Sequence, residues 1–318
     1  MNSREMLPQT PARIAVCITT YKRRDLLRQL LVGVSAQRFH KIRIPEIVVV
    51  VVDNDASKSA EEICHEARLP WPLKYIVESR RGIAQARNRA IREAGAVDCV
   101  VFIDDDEFPT PAWLDELLWT RARFGADVVC GPVLPSFAPD VPDWVKIGGF
   151  FDRGVCDSGS APDECRSGNV LICSNVFAGV KAFDERFGLT GGEDTEFFLR
   201  VRRAGYKIVS SAEARVHETV PTSRANLKAV LRRAYQSGNS WVLCESTLDR
   251  RISKRIVRTA KACGWILVGA ASACVSPLFG MPTIARSLRN IWLGVGMLTA
   301  LAGQRYQAYE SAGTDSPV

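Results

Sequence analysis

Val100-Val101-Phe102-Ile103-Asp104-Asp105-Asp106-Glu107-Phe108-Pro109 is the stretch from which the rest of the chain can be read. The apolar run from Cys99 to Ile103, β-branched and aromatic, predicts a buried strand. It drives straight into four acids. Carboxylates cannot be buried unpaired, because each would cost several kcal/mol. They are expected at the carboxyl end of the strand, facing the cleft in which an open α/β sheet binds its ligands. Asp104 and Asp106 are two apart, so in extended backbone they point to one side. Two converging carboxylates suit a hard divalent cation, Mg²⁺ or Mn²⁺. The bland alternative is an acidic turn in solvent. The core strand directly in front of the acids argues for the metal.

Upstream, Arg13 to Thr20 predicts a first strand, with Tyr21-Lys22-Arg23-Arg24 as its exit loop. Asp25 is expected to cap a helix carrying Leu26, Leu27, Leu30 and Leu31 at helical spacing. Glu46 to Val52, E-I-V-V-V-V-V, predicts a central parallel strand closed by Asp53-Asn54-Asp55. A helix over 59–67, a strand over 73–77, a loop over 78–82 and a helix over 83–94 complete the pattern. Strands alternating with helices give an open, mostly parallel sheet flanked by helices. Thr20-Tyr21, Asp53-Asn54-Asp55 and Asp104-Asp105-Asp106 would then share one edge and line one cleft. No G-x-G-x-x-G follows the first strand and no G-x-x-x-x-G-K-[ST] occurs. That speaks against an NAD-type site and a P-loop.

Downstream, a helix is expected over 111–124, a strand over 127–132 and an irregular Pro/Gly/Asp-rich insert over 136–165. A strand over 169–178, a helix from Glu193 and short strands at 206–210 and 214–217 finish the core. Asp53 could accept from a nucleotide base or ribose; the alternative is an Asx turn. Arg80, Arg81 and Arg87 could bind a diphosphate, or be solvated helix charge. In Gly191-Gly192-Glu193-Asp194 the glycines permit close backbone approach, and two carboxylates sit at a helix N-terminus. A carboxylate there could be a general base or a helix cap. His217 could complete a Mn²⁺ site, or be structural.

The 318 residues suffice for one large α/β domain with an appendage. The net charge of +7 is uneven: residues 221–318 hold 13 Lys+Arg against 4 Asp+Glu. Such a basic segment suits nucleic acid or an anionic membrane surface. The ten cysteines show no C-x-x-C pair, and Cys17, Cys99 and Cys130 lie in apolar runs, which suggests a reducing cytoplasmic setting. Lys254, Arg255, Arg258 and Lys261 precede Cys263 to Met281, a stretch without charge, and a second uncharged stretch runs from Asn290 to Gln304. Pro277 would bend or end a helix. A basic, apolar hairpin lying in the cytoplasmic leaflet is expected, against the alternative of an amphipathic pair packed on the domain.

I-T-T-Y-K-R, V-V-V-D-N-D, A-R-N-R-A, V-F-I-D-D-D-E-F-P and T-G-G-E-D-T-E-F-F-L-R, in that order, resemble glycosyltransferase family 2 with its GT-A fold. Within that family the chain is similar to bacterial exopolysaccharide transferases of the succinoglycan type. The resemblance covers about residues 12–245, leaving 1–11 as a loose tail, 246–310 as a membrane-associating helical region and 311–318 as a second tail. It implies a nucleotide-sugar donor (UDP-glucose first), Mn²⁺ or Mg²⁺, and inversion at the anomeric carbon; the expected hairpin at the cytoplasmic face of the inner membrane suits a lipid-linked glycan acceptor. Carried over, Thr20, Tyr21, Asp53 and Asp104 hold the nucleoside, with Asp105, Arg81 and Arg87 also on the donor. Asp106, with Asp104 and His217, holds the metal, and Asp194, with Glu193 beside it, is the base. Arg232-Arg233-Ala234-Tyr235-Gln236 stands where processive relatives carry Q-x-x-R-W, so one sugar is added per encounter. A sugar-phosphate nucleotidyltransferase would need a Gly-rich basic loop after the first strand. A nucleic-acid-binding protein would leave the acidic clusters unexplained.

Overall fold

The computed structural model describes residues 11–307. The tails expected over 1–11 and 311–318 thus lie outside the described residues, residue 11 excepted. In chain order the elements are β1 (Arg13–Thr20), α1 (Arg24–Ser35), β2 (Glu46–Asp53), α2 (Glu61–Glu66), β3 (Leu73–Val77), α3 (Ile83–Ala94), β4 (Cys99–Asp104), β5 (Glu107–Pro109), α4 (Trp113–Phe124), β6 (Val128–Cys130) and β7 (Val133–Phe137). There follow α5 (Asp143–Gly148), β8 (Asn169–Cys173), α6 (Ser174–Val180), α7 (Glu193–Arg203), β9 (Ile208–Ser210), β10 (Val216–Val220), α8 (Leu227–Leu248), α9 (Ile252–Val275) and α10 (Met281–Leu301). They form two compact units. The first takes residues up to Leu134, Arg153–Glu185 and Phe197–Glu218; the second takes Pro135–Asp152, Arg186–Glu196 and the chain from Thr219 on.

The first unit is built on a seven-stranded sheet in the order β3-β2-β1-β4-β8-β6-β9. Pairs β2/β3, β1/β2, β1/β4 and β6/β9 are parallel, whereas β8 runs antiparallel to both β4 and β6. The sheet is therefore mixed but mostly parallel, as the alternating pattern requires. Both faces are covered, which is why the strands read as continuous apolar runs. Alternate residues of β1 go to opposite cores: Ile14, Val16 and Ile18 join Leu27, Leu30 and Trp113 on one face, while Ala15 and Cys17 join Phe102, Phe197 and Val201 on the other. On that second face α3 buries Ala84, Ala86 and Ala90, side chains small enough to let it lie close against β1 and β2.

Three expectations shift. Asp25 does not cap α1: Arg23 holds the N-cap position and makes no side-chain capping bond to the helix, and Asp25 sits in the first turn, where its charge favours the helix dipole. The strand expected over 169–178 stops at Cys173, and α6 begins at Ser174. Cys173 pairs with Cys99, the first residue of β4, so beyond it no ladder partner remains. Cys130 is not a reduced core residue; it forms a disulfide with Cys165. The insert brings Cys165 to the end of β6, a juxtaposition that spacing does not reveal.

In the second unit α5 contributes Val145 to a small core with Val141, Phe151, Val220 and Ala225. Asn226 caps α8 by accepting from the Ala229 N–H at 3.0 Å. Helix α10 packs against both α8 and α9, and glycines set the distance. A Cβ at Gly296 would strike the carbonyl of Tyr235, and one at Gly294 would lie 2.6 Å from that of Ala262. The second arm of the expected lipid-facing hairpin is thus a packed helix, because its small residues admit two neighbours. Helix α9 differs. Ile252–Phe279 is long and apolar enough to cross a membrane by length and composition, and little of it is buried. It exposes Ile256, Trp265, Leu267, Val268 and Val275, and it ends at Val275, just before Pro277, as expected.

Candidate functional site

Strand register puts the three polar clusters at one edge of the first unit's sheet. Thr20 pairs with Asp53 across β1/β2, and Thr19 pairs with Asp104 across β1/β4. Parallel strands that end at the same level present their exit loops together.

The acidic run is a turn, not continued strand. Asp105 and Asp106 form the corner between β4 and β5, so the two-residue alternation expected from extended backbone does not operate. Each acid instead meets an arginine, and Asp105 and Asp106 share one. Asp104 Oδ1 accepts from Arg87 Nη2 at 2.8 Å. Buried Asp105 accepts from Thr20 Oγ1 and from Arg23 Nη1, both at 2.8 Å. Asp106 Oδ2 lies 3.3 Å from the same Arg23 nitrogen. Glu107 opposes Glu218 across the β5/β10 ladder, a like-charge pair that alone would be destabilising. Arg153 bridges it, 2.5 Å from Glu218 and 3.8 Å from Glu107.

Five carboxylates around this turn thus meet three guanidinium groups, an excess of negative charge among these residues. Burial pushes the Asp105 carboxyl up, against the pull of Arg23. Burial also pushes Asp106 up to about 7; Arg23 opposes this, and the charges of Asp105, Glu218 and Asp104 add to it. Glu107 is raised well above the ordinary carboxylate range by burial and by Asp104. A divalent cation would offset such an excess. Magnesium-type ions commonly take one or two carboxylates and complete their shell with water and substrate phosphate. Asp104 and Asp106 supply two carboxylates at this turn. Among the described residues no group of three or more His, Cys, Asp or Glu is placed to hold a metal, so His217 is not brought together with the two aspartates. It is exposed on β10 opposite Phe108, with its buried neighbours Val216 and Glu218 on the other side of the strand.

Asp53 is fully buried. Its carboxylate accepts from Ala60 N at 2.8 Å, Asp55 N at 3.0 Å and Tyr75 Oη at 3.0 Å. The bond to Asp55 is the Asx turn named as the alternative. Burial raises its pKa against these bonds. Asn54 ties this loop to the next, donating to the carbonyls of Glu78 and Arg80 and accepting from Gly82 N at 2.8 Å. Of the three arginines there, Arg80 pairs with Glu78 and Glu185 and Arg87 with Asp104. Arg81 lies over the Tyr21 ring, 3.2 Å from its centroid, so a cation and an aromatic face stand together at the β1 exit.

Gly191-Gly192-Glu193-Asp194 belongs to the second unit. Both glycines have left-handed backbone, φ +74° and +89°. A Cβ on Gly192 would meet Cys244 Sγ at 3.0 Å and Ser240 Cβ at 3.1 Å, so the close approach expected there is real. Glu193 is buried. Asp194 is half-buried, and its Oδ1 accepts from Thr195 N at 2.7 Å.

Sequence reasoning missed Arg23, Glu107, Arg153 and Glu218 as members of the acidic cluster. Glu107 stood in the acidic run itself, and Glu218 follows His217 in a strand. Arg153 lies in the irregular insert and carries no local signal.

The family model of glycosyl transferase family 2 matches residues 15–181. The succinoglycan biosynthesis protein ExoM of Rhizobium meliloti is 30% identical over 312 residues, which cover 93% of this chain and 95% of that protein. A glucosyl-dolichyl phosphate glucuronosyltransferase of Haloferax volcanii is 22% identical over 71% of this chain and 75% of its own length. In fold, the chain resembles the mannosyltransferase PcManGT of Pyrobaculum calidifontis, solved with GDP-Man and Mn²⁺, with a TM-score of 0.64 and 16% identity over 95% of this chain and 91% of that one. It also resembles S. aureus TarS residues 1–349, solved with UDP-GlcNAc, with a TM-score of 0.52 and 17% identity over 93% of each chain.

Proposed function

Because this chain belongs to glycosyl transferase family 2, we propose that it moves a sugar from a UDP-linked donor, UDP-glucose in the first instance, to a hydroxyl of a lipid-linked glycan in exopolysaccharide synthesis. The observation that carries the reading is the sheet edge where Thr20, Asp53 and Asp104 end in register beside an acidic turn with surplus negative charge. The succinoglycan relative supports the pathway class, and the dolichyl phosphate relative supports a lipid-borne acceptor.

Asp106 and Asp104 hold Mn²⁺ or Mg²⁺, leaving His217 outside the set. Held there, such an ion would supply positive charge to offset that of the departing nucleoside diphosphate. Thr20 and Arg23 fix Asp105 and thereby the turn. Tyr21 and Arg81 offer a stacking face and a cation to the donor, and Asp53 with Asn54 holds the shape of the loops around it. Asp194 accepts the proton of the acceptor hydroxyl as its oxygen attacks the anomeric carbon. The bond from that carbon to the phosphate oxygen breaks with its electron pair leaving on the nucleoside diphosphate. A single displacement inverts the anomeric centre.

A panel of nucleotide sugars, each with Mn²⁺, tests this by release of the nucleoside diphosphate. Turnover of UDP-glucose above the rest is expected. Turnover of none of them would overturn the proposal.

A further inference from the structure

The second unit contains a cavity of about 280 Å³ whose walls include Arg186, Arg250, Arg255, Arg258 and Arg305. No carboxylate is among its lining residues. Gathering five guanidinium groups at one cavity costs electrostatic energy, whereas a phosphate or diphosphate placed among them would be held by bidentate, charge-assisted hydrogen bonds.

Part of this arrangement has a structural explanation. Arg258 is buried, with its Nε 3.0 Å from Glu245 Oε2 and its other nitrogens on the carbonyls of Glu245 and Asp249. Arg255 donates to the carbonyl of Leu301 at 3.2 Å. Both therefore serve helix ends, where cations are favoured. That accounts for two of the five; Arg250 and Arg305 are exposed at the same wall. The volume lies just below the usual range of ligand pockets, roughly 300–1,000 Å³, which suits a compact headgroup rather than a chain.

A second observation selects the kind of phosphate. Arg255 and Arg258 stand on the first turns of α9, the helix that leaves most of its apolar surface uncovered. Ile252 and Ile256, beside them, are 72% and 63% exposed. An anion site therefore adjoins a surface for hydrocarbon. We propose that this cavity binds the phosphate or diphosphate group through which a polyprenyl-type lipid carries the acceptor glycan. The inference deepens the proposed function and rests on its lipid-linked acceptor.

The test compares full-length protein with the double variant R250Q/R305Q, both positions being exposed, by titration with farnesyl diphosphate, inorganic pyrophosphate and farnesol. Farnesyl diphosphate is expected to bind wild type more tightly than pyrophosphate, and to lose at least tenfold in the variant. Farnesol binding should not change. Equal farnesyl diphosphate affinity in both proteins would overturn the proposal. So would pyrophosphate binding as tightly as farnesyl diphosphate, which would mark a site for free phosphate. A variant that loses only its binding to phosphatidylglycerol vesicles would assign the arginines to bulk membrane charge and equally overturn it. Donor hydrolysis, measured alongside, should be unaltered by R250Q/R305Q. Its absence from wild type would sink the glycosyl-transfer reading while leaving the titrations to decide the cavity.

Discussion

Arg23 Nη1 stands 2.8 Å from Asp105 Oδ1. The carboxylate side of this pair is buried and the guanidinium is mostly covered, so the loop after β1 is fastened to the turn after β4 by charge. Arg23→Gln removes a hydrogen bond to a charged group and is expected to cost about 1.5–3 kcal/mol. Asp105→Asn, which removes the buried charge itself, should cost less. Denaturant unfolding measures both. A loss below about 0.5 kcal/mol, the range of ordinary surface changes, would show that the pair does not hold the turn.

The acidic cluster should make the metal-free protein less stable as pH rises. Asp106 titrates near 7 in the folded chain against about 3.9 unfolded. A group raised on folding contributes stability that is complete below the unfolded value and lost as pH climbs through the folded one. Asp105 and Glu107 are raised too and act with the same sign. The thermal midpoint in EDTA is therefore expected to fall between pH 5 and pH 8, and Asp106→Asn should flatten the fall. Parallel curves for wild type and variant would contradict the assignment.

Removing the metal should remove transfer. EDTA is expected to abolish activity and Mn²⁺ or Mg²⁺ to restore it, with Asp106→Asn losing the metal-dependent part of donor binding. Full turnover after exhaustive dialysis against EDTA would exclude a role for the cation.

Asp194→Asn should leave donor affinity close to wild type and lower kcat by about 10²–10⁴, the usual contribution of general-base catalysis. Glu193 is the control, since it is the buried neighbour. If Glu193→Gln is inactive while Asp194→Asn turns over normally, the base is Glu193. If both are active, neither carboxylate takes the proton.

The uncovered face of α9 should govern membrane attachment. Leu267 and Val268 are 68% and 56% exposed, so L267D/V268D is expected to leave folding intact. Sedimentation with vesicles of phosphatidylglycerol and phosphatidylethanolamine should drop several-fold. Unchanged sedimentation would separate this face from any membrane role.

The amino-acid sequence determines most of the first unit by local rules. A run such as Glu46–Asp53 is too apolar to lie anywhere but in the middle of a parallel sheet, and β3 and α3 keep the bounds their patterns imply. That polar clusters at three strand ends share one edge follows from parallel pairing alone, and the register of Thr20 with Asp53 agrees. The double glycine before Glu193 announces its left-handed backbone in the same way. What the sequence could not decide depends on residues far apart in the chain. Arg153 reaches Glu107 and Glu218, and Cys165 meets Cys130, only because an insert without periodicity folds back on the sheet. The acids of the turn look alike in the sequence, yet both share Arg23, and deeper burial and the bond from Thr20 separate Asp105 from Asp106. The two apolar stretches near the C-terminus look equivalent as well. Small residues let α8 and α9 both pack on α10, and nothing among the described residues covers the outer face of α9 to the same extent. Charge pairing and helix packing act between distant segments, so they enter only with the tertiary structure.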